Sequence, residues 1–283
     1  RRGSPYSLPI SSPPSAVEDS TSLDFPLQPS SWDASSHNEN SPSSFTFQES
    51  DWNALFSGGL DHFAHDTLSM DLAAVNNQLS DQEIAIVECL SIGAHAVRRS
   101  NLESGEHVVV IGCGPIGIGL IKFAQIKGAH VIAIDMNQDR LDYVKKYLGV
   151  EHTVLGGQQA VEHVKKMTGS EMATAVFDAT GHKAALESGV DYMAHGGRYI
   201  LVGLSKGELT FSHPAIHAKE TSILCSRNAA LVDFEHVISV LENGEFPVAS
   251  FITHKVHYTD MIANFENWLQ PENGVIKAMV DFQ

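Results

Sequence analysis

Three cysteines in 283 residues, Cys89, Cys113 and Cys225, are too few and too scattered for a disulfide framework or a paired-cysteine metal knuckle. They read as buried thiols of a protein kept in a reducing, cytoplasmic compartment. Basic residues are also scarce, with 18 Lys and Arg against 34 Asp and Glu and a formal net charge of -16. That balance excludes a broad surface for nucleic-acid phosphates or anionic lipid. Long apolar runs are missing too, because the best one, 107–126, is interrupted by four glycines and a proline and carries Lys122. No membrane span is expected. The first ten residues hold two arginines with no apolar stretch behind them, so no secretory signal is legible, and the chain opens on Arg instead of Met.

What remains is enough for a sizeable core in one or two domains, since 43% of residues are hydrophobic. They are unevenly spread. Residues 1–78 are rich in Ser, hold seven of the eleven prolines, and set ten acidic residues against Arg1 and Arg2. Such a stretch cannot offset its own ordering entropy, and disorder is expected, at least to about residue 48. Within it, 49–68 spaces Trp52, Leu55, Phe56, Leu60 and Phe63 along one helical face, interrupted by Gly58 and Gly59. This stretch is either a segment that folds into a protein partner's groove, or a sticky one that docks on its own domain or does nothing.

From 79 the pattern becomes regular. Ser80 followed by Glu83 predicts a capping box for a helix over 81–99, with Arg98 and Arg99 at its negative end and a possible break at Gly93. Strands are expected near 107–111, 130–134, 152–155, 173–178, 197–202 and 221–225. Helices are expected near 115–128, 137–147, 158–168, 183–194 and 231–243. This alternation predicts an α/β, doubly wound parallel sheet. After 245 the pattern changes to a strand "FITHKVHY", a helix near 258–269 and a last strand "IKAMVDF". That tail has no crossover partner of its own and reads as part of a second, mostly β sheet.

"VVVIGCGPIGIG" follows the first strand and opens the first crossover helix. Gly112 suits the tight turn, Gly114 a close backbone approach to a pyrophosphate, and Gly117 close helix-to-strand packing, with Pro115 and Ile116 at the helix start. Asp135, at the end of the second strand, is placed to bind an adenosine ribose and to repel a 2′-phosphate, which predicts NAD over NADP. The Rossmann pattern puts the ligand beyond the strand ends, so Thr180, Gly181, Gly203 and Leu204 are candidates for the nicotinamide half, with Ser226, Arg227 and Asn228 after the sixth strand. Arg140 either stacks on the adenine, pairs with Asp135 or is a helix-surface charge. A metal reading of His213 and His217 in "HPAIH" lacks a third ligand.

Taken together, "ECLSIGAHAVRRSNLESGEHVVVIGCGPIGIG", "AIDMNQDRL", "FDATG", "GGRYILVGL", "KETSILCSRNA" and the tail "ITHKV…IKAMV" resemble the medium-chain dehydrogenases, in their zinc-dependent alcohol, sorbitol and sugar-acid dehydrogenase branch. The resemblance covers 79–283. It implies a linking helix of the catalytic domain over 79–105, an NAD-binding domain over 106–245 and a return to the catalytic domain over 246–283. It also implies hydride transfer between NAD and a secondary alcohol, a polyol or sugar acid, polarised by zinc. Glu88 corresponds to the carboxylate at the catalytic zinc or on its water. Without the resemblance, Glu88 would read as a helix carboxylate paired with Arg98 or Arg99. A homodimer through the edge formed by "YILVGL" and "ELTFSH" is implied as well.

One departure stands against these matches. Residues 1–78 contain no cysteine and no Gly-His-Glu sequence, so the other zinc ligands of the family have no counterpart there, and Glu88 alone cannot hold the ion. Impaired dehydrogenation is therefore expected, alongside two alternatives: a non-catalytic NAD(H)-binding regulator whose 49–68 engages a partner, and a fusion or misassembled gene model joined near 78.

Overall fold

The computed structural model of the chain describes residues 79–282. The disorder expected over 1–78 and the amphipathic stretch 49–68 lie outside the described residues. The first element, α1 (Asp81–Arg99), starts from Ser80 as expected: its hydroxyl accepts the Glu83 N–H while the Glu83 carboxylate accepts the Ser80 N–H at 2.8 Å. The helix does not break at Gly93. A Cβ there would stand 2.8 Å from the Leu120 backbone nitrogen and 2.9 Å from the Gly119 carbonyl carbon. Glycine at 93 serves a close helix crossing, and the helix continues because its apolar stripe Ile86, Leu90, Ala94 and Val97 stays buried.

After α1 the chain alternates through β1 (His107–Ile111), α2 (Pro115–Ile126), β2 (His130–Asp135), α3 (Gln138–Leu148), β3 (His152–Leu155), α4 (Ala160–Met167) and β4 (Ala173–Asp178). It goes on through α5 (Lys183–Ser188), β5 (Met193–Leu201), α6 (His213–Ala218), β6 (Ser222–Cys225) and α7 (Leu231–Glu242). The six strands form one parallel sheet in the order β3-β2-β1-β4-β5-β6. Order reverses at β1 and β4, which makes their carboxyl ends the ligand crevice of a doubly wound sheet.

Side-chain alternation divides the apolar residues between two cores. Val108, Val110, Ala133 and Phe177 face α1, α2 and α7 on one side, while Val109, Ile132, Ile134, Val176 and Tyr199 face α4 on the other. The fifth strand starts earlier than its sequence pattern suggests, at Met193, because an irregularity between Ala173 and Ala175 absorbs the His195-Gly196-Gly197 stretch. The helix expected over 183–194 correspondingly tightens into a 3-10 turn at Gly189–Tyr192, where Gly189 leaves room for the Tyr199 hydroxyl.

Two expectations change. The strand containing "YIL" is not an edge, because β5 is bonded to β4 on one side and β6 on the other. The tail also has a crossover partner: α8 (Val248–Phe251) leads into β7 (Ile252–His257), which pairs in parallel with β8 (Lys277–Asp281) as a separate two-stranded sheet. Parallel neighbours need a crossover, and α9 (Met261–Trp268) supplies it.

Candidate cofactor site

At the carboxyl ends of β1 and β2 the three loop glycines have different reasons to be glycine. Gly112 adopts φ +94°, and a Cβ on it would meet the Thr180 methyl at 2.9 Å. A Cβ on Gly117 would fall 1.7 Å from the Gly112 carbonyl oxygen, so the first turn of α2 seats directly on the loop. Gly114 is different. Its φ of -76° suits any residue, and within 4 Å its Cβ would meet only Arg140 Nη1, at 3.8 Å. Among the described residues nothing requires glycine at 114. The side chain is missing on the rim of a cavity of about 630 Å³, where α2 begins with no side-chain cap on its free N–H groups. A pyrophosphate resting on that helix start fits this vacant approach.

Gly112, Gly114, Asp135, Arg140 and Thr180 are brought together in the wall of this cavity. Asp135 is buried and its carboxylate is fixed from two sides, with Oδ2 accepting the Cys113 N–H at 2.6 Å and Oδ1 the Asn137 N–H at 2.8 Å. Arg140 Nη1 lies 3.9 Å from Oδ2, so of the three expected roles the pairing with Asp135 is formed, loosely. Asp178, fully buried at the end of β4, accepts both the N–H and the hydroxyl of Thr180 at 2.8 Å and thereby shapes the opposite wall. Burial pushes its carboxyl above the ordinary range, against the pull of the Thr180 hydrogen bonds. Its second oxygen has no partner among the described residues.

The remaining candidates take other places. Pro115 and Ile116 form the first turn of α2, and Ile116 packs on the core. Gly181 and Gly203 permit the β4 and β5 loops to touch, since a Cβ on Gly203 would stand 2.2 Å from the Gly181 nitrogen. Leu204 is 76% exposed. Ser226 is buried behind β6, Arg227 is exposed, and Asn228 adopts a left-handed φ of 58°. None of these lines the cavity. Residues that the sequence reading did not single out do line it: Met136, Gly156, Gly157, His182, Ser188 and Tyr192. The strand-end rule applied to β3 would have reached "GG" at 156–157.

Glu88 is exposed on α1, and its suggested pairing with Arg98 or Arg99 does not form. Ten or eleven residues along a helix are roughly 15 Å apart. Arg98 instead binds Asp233 at the start of α7, through Nε to Oδ1 at 2.6 Å and Nη2 to Oδ2 at 3.0 Å, while His95 Nδ1 stands 2.8 Å from Oδ2. Arg99 donates to the Cys225 carbonyl oxygen. The motif around Glu88 thus carries a clamp, His95-Arg98-Asp233, that ties α1 to α7.

Among the described residues no three His, Cys, Asp or Glu side chains stand together in a way that could hold a metal ion. Glu88 has no companion ligands within 79–282, and the described residues do not fit a three-ligand zinc centre. His213 and His217 face each other at 5.5 Å on the exposed α6 and likewise stand as a pair. Of the thiols, Cys89 and Cys113 are buried as expected and burial pushes both upward in pKa, but Cys225, at the end of the edge strand β6, is exposed. No helix among the described residues is long and apolar enough to cross a membrane.

Comparison with known proteins agrees with this geometry. Residues 115–243 match the family described as zinc-binding dehydrogenase. The chain is 33% identical over 204 residues to the L-galactonate-5-dehydrogenase of Escherichia coli K12, covering 72% of this chain and 60% of that protein. It is 31% identical over 190 residues to the D-xylulose reductase A of Aspergillus niger, covering 65% of this chain and 53% of that one. An alcohol dehydrogenase from Escherichia coli CFT073, solved in complex with cofactor NADH, matches the fold with a TM-score of 0.64 at 25% identity, over 72% of this chain and 60% of that one. The chain therefore spans less than two thirds of the length of each of these relatives. The matched segment of this chain is thus similar to the zinc-type medium-chain dehydrogenases of the polyol branch.

Proposed function

We propose that residues 79–282 bind NAD(H), with the pyrophosphate on the Gly112–Gly117 loop and the adenosine ribose at Asp135. The observation that carries this reading is Gly114, a glycine that no contact among the described residues explains, set at the free start of α2 beside a buried carboxylate. The NADH held by the E. coli CFT073 relative supports the choice of cofactor. Bound NAD would supply a hydride acceptor, and the reaction class is oxidation of a secondary alcohol of a polyol or sugar acid, following what the names of the two enzyme relatives state. The chain's own contribution is to fix the cofactor: backbone N–H groups on the pyrophosphate, Asp135 on the ribose, and the Asp178-Thr180 turn as a wall.

A second reading, cofactor binding without efficient turnover, is favoured by the contrast between the glycine loop at the start of α2 and a Glu88 with no companion ligand among the described residues. Under it, dehydrogenation by this chain is impaired. Two reduced, well-separated buried thiols suit a reducing compartment such as the cytoplasm, and a homodimer would join through β6, one of the two edge strands of the described sheet. Calorimetric titration with NADH and NADPH tests the cofactor assignment: absence of NADH binding, or tighter binding of NADPH, sinks it. Zinc content of the purified chain, followed by a polyol panel read at the NADH absorbance, separates the two readings. Stoichiometric zinc that disappears in Glu88→Ala, together with turnover, selects the enzyme.

A further inference from the structure

The second sheet leaves an apolar face open. None of the residues of α9 is buried, and on it and at its end Ile262, Phe265 and Leu269 are 84%, 50% and 66% exposed, following each other at helical spacing. Just before this helix Tyr258 stacks on Phe282 with ring centroids 5.5 Å apart and planes 7° from parallel, and both rings remain at least half exposed. Phe282 also borders a cleft of about 400 Å³ whose other walls are Met279 and Lys255 of the sheet and Ser80 and Ala85 at the start of α1. A surface with this many large apolar side chains in one place marks an interaction site.

The position of the cleft names its occupant. Leu79, the first described residue, is buried, and Ser80 lines the cleft, so the described chain begins at this face. The preceding sequence carries Trp52, Leu55, Phe56, Leu60 and Phe63, five large apolar residues in twelve. The fifteen residues that separate Phe63 from Leu79 span at most ~50 Å when extended, enough to reach any point of the second sheet. Tethering at this distance raises the local concentration of the stretch to the millimolar range, so that a weak apolar contact is well populated. We propose that residues 52–63 dock in cis on the face formed by α9, Tyr258 and Phe282, covering it within one molecule. The stretch is then an internal cover, and its availability to any other protein is set by the same contact.

Hydrogen exchange on the full-length chain tests this assignment. Replacing Trp52, Phe56 and Phe63 by Ser, all outside the described residues 79–282, is expected to speed exchange of the peptides over 261–269 and 277–282 at least tenfold, leaving the peptides of β1, β2 and β4 unchanged. The reciprocal variant, Ile262→Asp with Phe265→Asp, is expected to raise chymotryptic cleavage after Trp52 and Phe56 by a similar factor. Its far-UV circular dichroism and melting temperature serve as the control for folding. Unchanged exchange over 261–269 in the serine variant overturns the proposal. So does protection of 261–269 that grows with protein concentration in that variant to the level of the parent chain, which assigns the face to a second copy. Rapid cleavage after Trp52 and Phe56 in the parent chain, no slower than in the aspartate variant, overturns it equally.

Discussion

The backbone N–H of Cys113 donates to Asp135 Oδ2 at 2.6 Å, which ties the middle of the glycine loop to the end of the neighbouring strand. The carboxylate therefore holds the loop, and in the proposed NAD site its remaining lone pairs would accept from a ribose. Asp135→Ala removes both functions and Asp135→Asn chiefly the charge. A hydrogen bond to a charged group contributes about 1.5–3 kcal/mol, so Asp135→Asn is expected to weaken NADH binding roughly 10- to 100-fold and to narrow the preference over NADPH. Titration calorimetry with both cofactors reads the two effects. An unchanged NADH affinity would remove Asp135 from the ribose site.

The loop glycines separate folding from binding. Gly117→Ala drives a Cβ to 1.7 Å from the Gly112 oxygen, and the strain of moving α2 off the loop is expected to cost about 3 kcal/mol or more. Gly114→Ala meets no such obstacle within the chain. Its melting temperature is expected to change little, because Gly and Ala at a helix N-cap differ by ~1 kcal/mol or less, while NADH affinity falls at least tenfold as the methyl enters the pyrophosphate approach. Thermal melts and calorimetry on the two variants check the contrast, and a Gly114→Ala chain that binds NADH as tightly as the parent contradicts the cradle.

Much of this arrangement was legible in the sequence, because a doubly wound sheet writes its order in apolar runs and its crossovers in amphipathic ones. The strand starting points of β1, β3 and β4 follow directly from Val- and Ala-rich stretches between turn residues. What escaped was non-local. Gly93 reads as a break until Gly119 is found pressed against it, and β5 looks internal or exposed only once β6 is known to pair with it. Arg98 lies close to Glu88 in sequence, but its partner is 135 residues away at Asp233. The wall contributed by Gly156, Gly157 and Tyr192 likewise depends on which loops the sheet order sets beside each other.

The clamp between α1 and α7 predicts an acid sensitivity. Burial alone would raise the Asp233 carboxyl, yet the Arg98 and Ala230 hydrogen bonds and His95 prevail and hold it below the ordinary range. A carboxylate depressed in the folded state stabilises it fully above its unfolded value near ~4 and loses that contribution as pH falls through the folded value. Asp233→Asn is therefore expected to melt earlier at pH 7, by an amount equivalent to about 1–3 kcal/mol, since Arg98 is half exposed and solvated after losing its partner. The difference between parent and variant shrinks toward acid. Melting curves between pH 7 and pH 3 measure it, and a gap that stays constant over that range rules out the clamp as its source.

A second pH-dependent contribution comes from His107, closer to neutrality. His107, His130 and His152 stand at the amino ends of the adjacent strands β1, β2 and β3, with the His107 and His130 rings 5.3 Å apart. Burial, together with the charges of His130 and His152, holds His107 below its ordinary value. Protonation in the unfolded chain therefore precedes protonation in the folded one, so stability is intact above pH ~6.5 and declines as pH falls below it. This loss sets in well above the range in which Asp233 titrates, so the two are resolved on one pH axis. His107→Gln removes the depressed group and one source of repulsion for its neighbours. The variant is expected to hold its melting temperature between pH 7 and pH 5 while the parent's falls, and parallel profiles for the two chains over that interval would show that the histidine row does not govern the acid response.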